Sequence, residues 1–186
     1  MAYVSVVDRD AIENEMVWGD RDLPVTTYGL LSRTAEKFPS RNAVSFQLMS
    51  GPTDKCETFS WSELKDKTTQ VANMFRELGV GETDVVAYLL PNTNETVLTY
   101  LGGQVAGIVN PINPLLEAEQ IAAILRETNA KVLVTLRAFP KTDVSQKAAE
   151  AVALAPNVQT VLEVDLHRYL TGIKKLIVPL IRPKTT

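Results

Sequence analysis

The run Val85-Val86-Ala87-Tyr88-Leu89-Leu90 constrains this chain more than any other feature. It is apolar throughout, with Gly79-Val80-Gly81 before it and Pro91-Asn92 after it. A short apolar run between turn residues reads as a strand buried on both faces. Such strands belong to parallel sheets covered by helices on each side, because parallel strands need helical crossovers. Lys131 to Thr135 repeats the pattern, Ile108-Val109-Asn110 is a shorter version, and Val158 to Val164 supplies a last strand.

Helical signals fall between these runs. The strongest begins at Ser60, where Ser60 and Glu63 have capping-box spacing. Trp61, Leu64, Val71, Ala72, Phe75 and Leu78 then mark one face, and Gly79 offers the left-handed residue that ends a helix. An earlier helix starts near Thr26 or Thr27, carries Leu30, Leu31, Ala35 and Phe38, and stops at Pro39. Asn94 is the expected cap of a helix running to about Gly107. Another helix covers roughly Glu117 to Thr128, with Ile121, Ile124 and Leu125 inward, and a further one ends over Ala148 to Ala155. Before all of these, Ala43 to Leu48 and Glu57-Thr58-Phe59 flank the turn Ser50 to Asp54 and predict a small β-hairpin. The expected fold is therefore α/β, with a mainly parallel sheet flanked by helices and a hairpin near the N-terminus. Residues 1–26 read as an aperiodic leader, 27–164 as the α/β unit and 165–186 as a tail.

Charge and composition remove several functions. The net charge is −3, so there is no basic surplus for a nucleic-acid backbone. A single cysteine, Cys56, excludes an internal disulfide and reads as structural or surface. The N-terminus has no secretory pattern, and no apolar run reaches the roughly 18 residues of a membrane span. A cytoplasmic location is the expectation. In the tail, Ile173 to Ile181 is apolar and basic, but Pro179 and Pro183 argue against the long amphipathic helix of a membrane anchor.

Catalytic apparatus is sparse. The sequence contains neither G-x-x-x-x-G-K-[ST] nor G-x-G-x-x-G. Gly79-Val80-Gly81 follows a helix and precedes a strand, the reverse of a phosphate loop, and reads as a helix stop and turn. Gly102, Gly103 and Gly107 sit in an apolar helix, where each costs about 1 kcal/mol against alanine. Close packing of helix on sheet is the preferred account, with close approach of a ligand as the alternative. One histidine, His167, and one cysteine cannot assemble a thiolate or imidazole metal site. Asp165-Leu166-His167-Arg168 reads as a solvated loop. The acids are dispersed, and no pair stands out as general acid and base. No catalytic, cofactor-binding or metal-ligating residue is therefore assigned.

Three segments, taken together, resemble the N-terminal region of the adenylate-forming superfamily: acyl-CoA synthetases, luciferases and peptide-synthetase adenylation domains. They are Phe59-Ser60-Trp61-Ser62-Glu63-Leu64, Val85 to Glu95 with its Pro91-Asn92, and Leu101 to Pro114 ending Asn110-Pro111-Ile112-Asn113-Pro114. Ile121 to Thr135 continues the likeness in order, and the whole covers roughly Thr27 to Val164. The Asn110 to Pro114 segment tilts the resemblance toward acyl-CoA synthetases.

The resemblance implies a parent enzyme that uses ATP, Mg and CoA to convert a carboxylic acid to an acyl-adenylate and then a thioester. It implies that this chain is part of a larger N-terminal domain. The family's Ser/Thr/Gly-rich P-K loop and lysine-bearing lid have no counterpart here. Arg182-Pro183-Lys184 lacks the preceding run, so Lys184 is not that lysine. The expected roles are structural for Ser60, Trp61, Glu63 and Gly79, with Asn110, Pro111, Asn113 and Pro114 as candidate walls of a substrate cleft. The chain is expected to be inactive alone, to need the remainder of its protein as partner, and to self-associate through apolar surface left bare. The alternatives are a stand-alone, non-catalytic binding module of the same fold, or a small nucleotide-binding α/β protein.

Overall fold

A computed structural model describes residues 4–51 and 54–183. Four parallel strands form the main sheet: β3 (Val85–Leu89), β4 (Ile108–Pro111), β5 (Ala130–Leu136) and β6 (Thr160–Val164), in the order β4-β3-β5-β6. The two apolar runs take the central places. Val86, Leu89 and Leu133 are fully buried, as a strand covered on both faces requires. The hairpin is also present, with β1 (Asn42–Gln47) antiparallel to β2 (Cys56–Ser60). Residues 52 and 53 of its expected turn, and Lys184 of the tail, lie outside the described residues.

Helices follow the sequence signals closely. α2 (Thr27–Lys37) is capped by Thr26, whose hydroxyl accepts the Gly29 amide at 3.0 Å. α3 (Trp61–Glu77) opens on the Ser60–Glu63 capping box. Ser60 N–H donates to Glu63 Oε2 at 2.8 Å, and Glu63 N–H to Ser60 Oγ at 3.3 Å. The chain turns beyond α3 at Gly79, whose φ is +81°. α4 (Asn94–Ala106), α5 (Ala118–Glu127) and α6 (Val144–Ala153) are the crossovers.

From β3 to β4 the chain moves one way across the sheet; from β4 to β5 and on to β6 it moves the other way. Right-handed crossovers then put α4 on one face and α5 with α6 on the opposite face. The packing agrees: α4 lies on α3, and α5 on α6. Phe75, Ile121 and Leu125 seal the two sides with no exposed surface. A second cluster of Leu31, Phe59 and Leu64, with Trp61 half-buried against it, fastens α2 and the hairpin to α3 and α4.

The glycines of α4 are packing residues. A Cβ on Gly102 would meet Val71 of α3, and one on Gly103 would meet Val109 of β4. At Gly107 the obstacle is backbone: Asp84 O and Gly81 O would lie 2.5 and 2.6 Å away.

Four local readings are corrected. The leader is not without structure, because Ser5 and Asp8 form a capping box that starts α1 (Val6–Glu13), an exposed helix. Thr93, not Asn94, caps α4: its hydroxyl accepts the Thr96 amide at 3.2 Å, while Asn94 is buried just inside the helix. The stretch Asp165 to Arg168 is not a solvated loop. It enters a 3-10 turn, Leu166–Tyr169, whose first and last residues are buried. The tail forms α7 (Gly172–Ile181) with Pro179 inside it.

Candidate functional site

The strand order dictates where a site can form. β3 leads into a helix on one face and its neighbour β5 into a helix on the other, so a crevice opens beyond their carboxyl ends. A cleft of about 460 Å³ lies there. Pro91 follows β3, Pro114 and Leu115 follow β4, and Leu136 with Phe139 to Val144 lie between the end of β5 and the start of α6; Leu48 and Leu166 complete the walls. They are mostly apolar, with Lys141, Thr142 and Asp143 as the polar members. Lys141 has φ +65°, a left-handed conformation uncommon for a side-chain-bearing residue. Asp143 lies 3.3 Å from Lys147, which also reaches Glu117 at 3.2 Å. Glu117 above all, together with Asp143, holds the Lys147 ammonium above its ordinary pKa.

Of the four residues proposed as cleft walls, Pro114 lines this cleft. Asn110 donates its amide to Thr128 Oγ1 at 3.3 Å and braces β4 against the end of α5. Pro111 pairs with Tyr88 on the edge strand. Asn113 Oδ1 accepts the Leu115 amide at 3.0 Å and shapes the turn that carries Pro114.

A carboxylate cluster stands apart from the cleft walls. Glu57 on β2 and Glu95 in the first turn of α4 are both clamped by Arg168, with Nη1 2.5 Å from Glu95 Oε1 and Nη2 against Glu57 Oε1. Tyr169 OH donates to Glu95 Oε2 at 2.8 Å and reaches Glu57 Oε2 at 3.2 Å. Asn94 Nδ2 donates to Glu57 Oε2 at 3.0 Å. Burial first, and then the Glu95 carboxylate, push the Tyr169 phenol far above its ordinary pKa, so it remains a donor. This brings together two acids that the sequence reading treated as dispersed. Their separation along the chain gave no local signal. Both are committed to Arg168 and Tyr169, so the cluster is a clasp joining β2, α4 and the 3-10 turn rather than an acid–base pair.

Among the described residues no group of three or more His, Cys, Asp or Glu is placed to hold a metal ion. The cleft has one lysine and no glycine-rich loop. These residues alone do not fit a Mg-triphosphate. Among the described residues no helix is long and apolar enough to cross a membrane.

The parallel sheet, its helical crossovers and the packed α4 glycines define an α/β unit with helices on both faces. Residues 31–175 match the family model described as AMP-binding enzyme, and the chain belongs to that family. It is 33% identical over 114 residues to a marinolic acid–CoA ligase of Pseudoalteromonas sp. (strain SANK 73390), covering 61% of this chain and 17% of that protein. It is 32% identical over 119 residues to the peroxisomal benzoate–CoA ligase of Arabidopsis thaliana, covering 63% of this chain and 19% of that one. Among solved structures, the anthranilate CoA ligase AuaEII in complex with anthranoyl-AMP superposes with a TM-score of 0.67 at 22% identity, over 92% of this chain and 30% of that one. The chain thus spans less than a third of each of these relatives.

Proposed function

We propose that this chain is the N-terminal portion of an acyl-CoA synthetase and is inactive by itself. In the complete reaction a carboxylate attacks the α-phosphorus of Mg-ATP and expels pyrophosphate, leaving an acyl-adenylate. The CoA thiol then attacks the acyl carbon, and AMP departs. Such a site must neutralise charge on the polyphosphate and keep water from the adenylate. The observation that carries the reading is the family match over residues 31–175, with relatives that are named as CoA ligases. The inactivity is supported by a sequence without a phosphate loop and by the lack of a metal-binding cluster among the described residues.

On this reading the chain contributes a rigid wall. The cleft beyond β3 and β5 is the face offered to the rest of the enzyme, and Pro114 is the member of the Asn110 to Pro114 segment that reaches it. ATP–pyrophosphate exchange with a panel of alkyl and aryl acids is the test. No exchange is expected from this polypeptide, and exchange above background would overturn its inactivity. The product of the same reading frame carried past the Thr186 codon is expected to make acyl-CoA. A stop codon directly after Thr186 would instead favour a stand-alone binding module.

A further inference from the structure

We propose that α7 docks this protein on an anionic lipid surface. Ile173, Leu176, Ile177, Leu180 and Ile181 recur at the i, i+3, i+4, i+7, i+8 spacing of a single helical stripe. That stripe normally faces a core. Here it faces solvent: Ile173 is 71% exposed, Leu176 72% and Leu180 83%. Five large aliphatic side chains side by side in water call for a covering partner.

Charge selects what covers them. The whole chain carries −3, yet from Leu166 to the end there is no acid, only Arg168, Lys174, Lys175, Arg182 and Lys184. Arg168 is held by Glu57 and Glu95, Lys174 pairs with Asp54 and Arg182 with Asp165, whereas Lys175 is exposed and has no ion pair among the described residues. An apolar stripe on a helix that carries Lys174 and Lys175, in a segment without acids, fits anionic lipid, with the stripe among the acyl chains and the lysines at the headgroups.

The backbone also suits that setting. Pro179 lacks the amide hydrogen that would bond the Lys175 carbonyl, and an open carbonyl is costly where water is scarce. His167 Nε2 lies 2.7 Å from that carbonyl and serves it from within the protein. Pro183 falls outside the helix. The two prolines therefore leave the apolar face intact, contrary to what the sequence suggests.

The test is co-sedimentation of the full chain with large vesicles of phosphatidylcholine, with and without about 30% phosphatidylglycerol. Binding to the anionic vesicles is expected, weakening as salt rises. The double substitution Leu176→Asp and Leu180→Asp is expected to weaken it at least about tenfold, and Lys175→Glu by less. These side chains are exposed, so circular dichroism and thermal unfolding are expected to stay as in the parent. Absence of binding to anionic vesicles, or binding that the double variant retains, would overturn the proposal. Equal binding to neutral vesicles would overturn the anionic assignment. An oligomer that the double variant dissolves, with no vesicle binding by the parent, would assign the face to a second copy of the chain instead.

Discussion

His167 Nε2 stands 2.7 Å from the carbonyl oxygen of Lys175, the carbonyl that Pro179 cannot serve four residues later. A side chain in the 3-10 turn thus supplies the donor that the helix lacks. A net contribution of about 1 kcal/mol is usual for such a bond. His167→Ala is predicted to loosen α7 by about that amount, read as faster amide exchange from Leu176 to Ile181 with the sheet unchanged. Pro179→Ala restores the amide donor, so the double variant His167→Ala, Pro179→Ala is predicted to recover the protection. If the second change fails to rescue the first, the histidine acts through some other contact.

The clasp of Glu57, Glu95, Arg168 and Tyr169 makes a separate prediction. Both carboxylates are largely buried, with side chains 17% and 16% exposed. Arg168→Met removes their shared cation and leaves two like charges facing one another. A loss of about 2 kcal/mol is predicted, because stranding a buried charge costs more than the pair contributes. Tyr169→Phe keeps the edge-on contact with Phe46, whose ring centroid is 4.8 Å away, and loses only hydrogen bonds, about 1 kcal/mol. The two losses, measured by urea unfolding, are predicted not to add, since both variants open one network.

How much of this was legible in the sequence follows from the range of each signal. Val85 to Leu90 and the Ser60–Glu63 box announced their elements because hydrophobic period and capping are local, and both strand and helix formed as expected. The Gly79 turn was readable for the same reason. Glu57, Glu95 and Arg168 meet only after β2, α4 and the 3-10 turn have converged, and no spacing in the chain encodes that. Pro179 misled because its penalty is local while its remedy, His167, comes from another element. In the cleft, Pro114 was within reach of reasoning from strand ends, but Lys141 and Phe139 lie in a loop with no motif.

Gly107 leads to a prediction about the junction of α4 and β4. Its φ of −166° is open to any residue, so conformation does not require glycine. Space does: a Cβ would press on the carbonyl oxygens of Asp84 and Gly81, and backbone cannot turn aside as a side chain can. Gly107→Ala is predicted to cost about 2–3 kcal/mol, toward the upper end for overpacking. Gly19 serves as the control, because a methyl group added there would meet nothing within 4 Å. Gly19→Ala is predicted to change the thermal midpoint by no more than a surface substitution does.

Acid should weaken the fold through Glu57 and Asp165. Burial by itself would raise the Glu57 carboxyl, but the Asn94 amide, the Arg168 guanidinium and the Tyr169 hydroxyl outweigh it and hold the group below its ordinary 4.5. Burial opposes the shift of Asp165 in the same way, and the His167 amide, Arg182 and Arg137 overcome it, holding that carboxyl below 3.8. Unfolding returns both groups to their ordinary values. Between the ordinary and the depressed value the unfolded chain binds protons that the folded chain refuses, so acid favours unfolding. The stability these groups contribute is therefore complete at neutral pH, and it is lost as pH falls below the ordinary range and through the folded values. Urea midpoints measured from about pH 7 to pH 3 are predicted to fall most steeply below about pH 4.5. Glu57→Gln is predicted to be less stable at pH 7 and to show a shallower decline, because glutamine takes up no proton on unfolding. A decline as steep as that of the parent would mean that Glu57 titrates in the fold as it does in water.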